Sequence, residues 1–143
     1  MSELTRLADA LAAEHAAVFA YGLIGARLAG GDGTGAVRAA EEAHRSRRDA
    51  LVLALTERSA PVPAAEASYQ LPFEVTGPVA ARRLAVLVEE RVGAVWRAAL
   101  PRLARPDRRP ALDALVDTAL RATGWRAAAG VEPATVPFPG APD

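Results

Sequence analysis

Glu41 and His44 stand three residues apart, the spacing that sets a carboxylate and an imidazole side by side on one helical face. In helical bundles such a pair from each of two helices, joined by one glutamate from each of two others, supplies six convergent donors. Those donors hold a pair of redox-active ions such as iron or manganese. This chain offers two further carboxylates at comparable positions, Glu14 and Glu89, the second followed directly by Glu90. The matching half is missing. The last helical segment carries only Asp113 and Asp117, and the one other histidine is His15. The candidate metal set is therefore Glu14, Glu41, His44 and Glu89.

The same residues have a second use that needs no metal. A carboxylate buried without a partner costs several kcal/mol, and two of them in one core require a cation between them. Arg48, one turn beyond His44, or a protonated His44 can supply that charge. Glu14, Glu41, His44 and Arg48 are then expected to form a polar network in the core, the relic of a metal site.

Four helices must position these groups, because apolar residues recur at spacings of three and four through every long segment. The first helix is predicted over 3–28, with Leu4, Leu7, Leu11, Glu14, Val18, Tyr21, Gly25 and Leu28 on its inner stripe. The second is predicted over 34–58, with Thr34 as a candidate cap and a stripe of Val37, Glu41, His44, Arg48, Leu51 and Leu55. The third, over 78–105, opens at Thr76-Gly77-Pro78 and lines up Val86, Glu89, Gly93, Trp96, Leu100 and Leu103; Pro101 can kink or shorten it. The fourth, over 108–128, is capped by Asp107 and ends near Trp125. Residues 130–143 contain four prolines and are expected to be irregular or loosely attached.

The connections set the topology. Short links between helices 1 and 2 and between helices 3 and 4 demand antiparallel hairpins. The proline-rich 59–77 linker can span about 60 Å when extended, against about 38 Å for a 25-residue helix. It can run the length of a bundle. The expected fold is all-α, a ferritin-like four-helix bundle over 1–129 with one long crossover between helices 2 and 3.

Composition removes several function classes. The 143 residues hold 17 basic and 17 acidic side chains, and every basic one is arginine. A net charge of zero argues against binding nucleic acid or an anionic membrane through bulk electrostatics. The clusters Arg45-Ser46-Arg47-Arg48, Arg82-Arg83 and Arg108-Arg109 are read as solvated faces. With no cysteine, there is no disulfide, thiolate metal site or cysteine nucleophile. The longest apolar runs fall short of the roughly 20 residues of a membrane span, and the first residues are acidic where a signal peptide is basic, so a cytoplasmic protein is expected. Gly30-Gly31-Asp32-Gly33 follows a helix and is a turn, not a phosphate loop.

The segments LADALAAEHAAVFAYGLIGARL, EEAHRSRRDAL, YQLP, LAVLVEE and TGWR together resemble a ferritin-like bacterial family catalogued as domain of unknown function 4439. The resemblance implies a four-helix bundle, paired as homodimers, with no established activity. The functional expectation is a non-enzymatic dimeric binding or scaffold module with a degenerate two-metal site and no cofactor. Its alternative is an Fe or Mn oxidoreductase with an incomplete carboxylate/histidine site.

Overall fold

Ser2 opens the first helix by accepting a hydrogen bond from the Thr5 amide at 3.1 Å. In the computed structural model, which describes residues 1–142, that helix is α1, Glu3–Leu28. Asp143, the last residue of the expected tail, lies outside the described residues. A turn follows in which Gly30 and Gly33 take positive φ, 77° and 99°, conformations that cost glycine nothing. α2 spans Thr34–Glu57. Gly33 occupies the cap position expected for Thr34, whose hydroxyl instead donates to the Gly31 carbonyl at 2.9 Å.

Proline shapes the second half. Pro78 begins α3, Pro78–Ala99, where its missing N–H costs no helical bond. The helix stops six residues short of the expected 105, because Pro101 cannot donate within it; Leu100–Arg102 form a single 3-10 turn. α4, Arg105–Ala129, then starts earlier than expected. Ala104 is its cap residue, while Asp107 lies in its first turn and pairs with Arg58 at 2.8 Å. Gly130, at φ 70°, ends it.

The four helices pack as a bundle, and no strand occurs among the described residues. α1 and α3 run antiparallel, since Glu14 meets Trp96 and Tyr21 meets Glu89. The 58–77 segment lies along α1 in the same direction: Pro63 bonds His15, the Tyr69 ring packs at a tilt against that of Phe19 and Val75 accepts from Arg27. α2 and α3 are consequently parallel. The core is aliphatic at both ends, with Leu7, Leu11 and Leu55 at one and Ile24, Leu28 and Val37 at the other. Each fully buried leucine or isoleucine contributes about 1.5–3 kcal/mol. Between these layers lies a polar one.

By length and composition α1 is a helix able to cross a membrane, a property that short apolar runs did not suggest. Its apolar face is spent inside the bundle, where Leu7, Leu11, Tyr21 and Ile24 are at most 2% exposed. The tail is irregular yet fastened. Arg97 donates to the Pro139 carbonyl at 2.9 Å and Arg126 to that of Ala134 at 3.3 Å, and Gly140 sits so close to Gly93 that a Cβ would meet its carbonyl oxygen at 2.7 Å. Loose attachment is thus corrected: two arginines on α3 and α4 hold the strap down.

Candidate functional site

Three charged side chains from three helices meet in the polar layer with no solvent contact. Glu14 on α1 and His44 on α2 are 0% exposed, and Glu89 on α3 is 1% exposed. His44 bridges them. Its Nδ1 lies 2.5 Å from Glu14 Oε2 and its Nε2 lies 3.0 Å from Glu89 Oε1. A carboxylate oxygen only accepts, so each ring nitrogen must donate, and a ring donating from both is an imidazolium. Burial pushes the His44 pKa down, but the hydrogen bonds and charges of Glu14 and Glu89 outweigh it and raise the value to about 9.

Aromatic donors complete the layer. Trp96 Nε1 donates to Glu14 Oε1 at 2.9 Å, and the Tyr21 hydroxyl donates to Glu89 Oε1 at 2.5 Å. Trp125, from α4, donates to the Tyr21 oxygen at 2.9 Å, so all four helices share one network. Burial first, and then the Glu89 charge, hold the Tyr21 hydroxyl far above its ordinary pKa, which keeps it a donor. The tyrosine ring also stacks on the His44 ring at 5.4 Å between centroids. Two buried atoms in and beside the layer make no hydrogen bond among the described residues, Glu89 Oε2 and Arg47 Nη1.

The remaining candidates fall outside this layer. Glu41 lies at the rim and pairs with Arg45 at 3.0 Å. Arg48 faces outward and bonds its neighbour Asp49 at 2.9 Å. Both corrections have one cause. α2 buries Val37, Ala40, His44, Leu51 and Leu55, and Arg47 follows the same line. Ala40, with its small side chain, occupies the buried position expected for Glu41. Arg47 is correspondingly the arginine of the network. It ion-pairs with Asp117 on α4, and its Nη1 stands 3.9 Å from Glu14 Oε1. Burial alone raises the Asp117 pKa, but the Arg47 and Arg121 charges outweigh it and lower the value. Glu90, the alternative to Glu89, is exposed and bound by Arg126 at 2.5 Å. His15 lies apart from the layer and bonds the Pro63 carbonyl of the 58–77 segment at 3.0 Å.

A family model, Domain of unknown function (DUF4439), matches residues 6–143. The chain belongs to the DUF4439 family. Its fold is similar to the crystal structure of a conserved hypothetical protein, rv2844, from Mycobacterium tuberculosis, with a TM-score of 0.85 and 38% sequence identity over 96% of both chains. No curated protein matches the chain. In this DUF4439 member the layer around His44 also includes Arg47 and Trp125, which went unrecognised as members. The spacing of Arg47, seven residues after Ala40 and three after His44, was the available signal for the arginine; for the tryptophan there was none beyond its position late in α4.

Proposed function

We propose that the chain is a ferritin-like bundle, residues 1–129 with 58–77 as the long crossover, in which a protonated histidine stands where members of that architecture with metal centres hold ions. It acts as a dimeric binding or scaffold module and not as a metal oxidoreductase. The observation carrying this reading is the double engagement of His44, whose two nitrogens both donate to carboxylates. An imidazolium has no free lone pair for a metal, so coordination requires His44 to lose a proton that Glu14 and Glu89 hold in place.

The donor set does not fit a metal pair. Among the described residues no group of three or more His, Asp or Glu side chains is arranged to hold an ion. Glu41 points to the rim, and α4 contributes Trp125 and Thr118 where a bundle metal centre needs a carboxylate and an imidazole. Arg47 brings a second positive charge to Glu14. The layer is a charge-balanced structural core, rigid because every helix donates to or accepts from it.

Metal analysis of protein purified without chelator, followed by thermal melts with added Fe(II), Mn(II) and Zn(II), tests the proposal. Substoichiometric metal and unchanged melting are expected. An ion held tightly and released by His44→Ala would overturn it in favour of the oxidoreductase, as would an oxygen-dependent absorbance change on adding Fe(II).

A further inference from the structure

The outward face of α4 carries large apolar side chains at every fourth position: Leu112, Val116 and Leu120 are 45%, 50% and 68% exposed. The next step of that series is Gly124, also exposed, and a Cβ built there meets nothing within 4 Å. Glycine inside a helix costs about 1 kcal/mol relative to alanine. Among the described residues no close approach requires it at this position. The face therefore combines a ridge of bulky groups with a hollow at its end, and both belong to one helix.

We propose that this face is where two copies of the chain pair, their α4 helices antiparallel about a two-fold axis at the level of residue 118. The proposal rests on the dimeric reading above and assigns its interface. In an antiparallel pair, positions equidistant from the axis face one another, so Leu112 of one copy lies over Gly124 of the other and Val116 lies beside Leu120. The fit is isologous, as a two-fold interface demands: one surface supplies both the projection and the recess that receives it. Charge permits it too. Arg109 falls opposite Ala127 and Asp113 opposite Thr123, so no side chain meets its like. The other exposed large apolar residues of the helices, such as Leu53 on α2 and Val79 on α3, stand singly and form no such series.

The absence of native cysteine makes the register directly measurable. Leu112→Cys and Gly124→Cys chains are purified separately, mixed and oxidised. The mixture is expected to form disulfide-linked dimers far faster than either variant alone, because only unlike positions face each other. Sedimentation of the unmodified chain is expected to show a dimer, with Leu120→Arg or Gly124→Arg weakening it about a hundredfold while helix content and melting of the monomer persist. A dimer that both arginine variants leave intact overturns this interface and spares the dimeric reading. A chain that sediments as a monomer at every concentration overturns both.

Discussion

His44 and Glu14 are joined by a 2.5 Å hydrogen bond from Nδ1 to Oε2, with neither side chain reaching solvent. On the opposite edge of the ring Glu89 accepts from Nε2. The positive charge of the core thus comes from an imidazole ring held between two carboxylates, and the consequences can be measured.

Removing the ring strands two carboxylates. His44→Ala is expected to cost about 3–5 kcal/mol in urea unfolding at neutral pH, the range for orphaning a buried charge. Combining it with Glu14→Gln and Glu89→Gln should recover a large part of that loss, since the need for the cation goes with the carboxylates. A triple variant no more stable than His44→Ala would show that packing, not charge, sets the cost.

Stability should depend on pH with a definite sign. The folded His44 pKa is raised to about 9 from an ordinary 6.5, so its contribution is complete below about pH 6.5 and is lost as pH rises through about 9. The loss is on the order of 3 kcal/mol, or about 5–10 °C in Tm between pH 6.5 and 9.5. Melts across that range at fixed ionic strength check it, and the triple variant should lose this dependence.

Much of this arrangement was legible before any coordinates, and what failed did so for a physical reason. Glu14, His44 and Glu89 were readable because a carboxylate or imidazole on an apolar stripe must have a partner. The rotation of α2 was not. Spacings of three and four fit both Val37–Glu41–His44–Arg48 and Val37–Ala40–His44–Arg47, and α2 alone does not decide between them. The choice depends on the packed bundle as a whole, in which the smaller Ala40 has no exposed surface. The tail misled for a related reason: its prolines forbid helix but not docking, and the arginines that hold it lie 42 and 8 residues away in the chain.

That rotation separates two neighbouring arginines. Arg48→Met is expected to change stability by less than about 0.5 kcal/mol, as for an exposed pair. Arg47→Met should cost about 1–3 kcal/mol, because it takes the guanidinium from beside Glu14 and leaves Asp117 with Arg121 as its remaining ion-pair partner. Parallel urea titrations of the two variants decide it, and equal effects would contradict the register of α2.

Tyr21→Phe removes one oxygen that donates to Glu89 and accepts from Trp125. Both partners stay buried, so a loss of about 1–3 kcal/mol is expected with the fold intact. Trp125 emission should shift as its N–H loses its acceptor. A variant as stable as the parent would place the hydroxyl outside the network.

The protonation state of His44 is the central claim, and nitrogen NMR of the imidazole reads it directly. At pH 7 the account predicts protons on both Nδ1 and Nε2, retained to about pH 9 and undisturbed by added Zn(II). A single protonated nitrogen at pH 7, or loss of a ring proton on adding the metal, would contradict it.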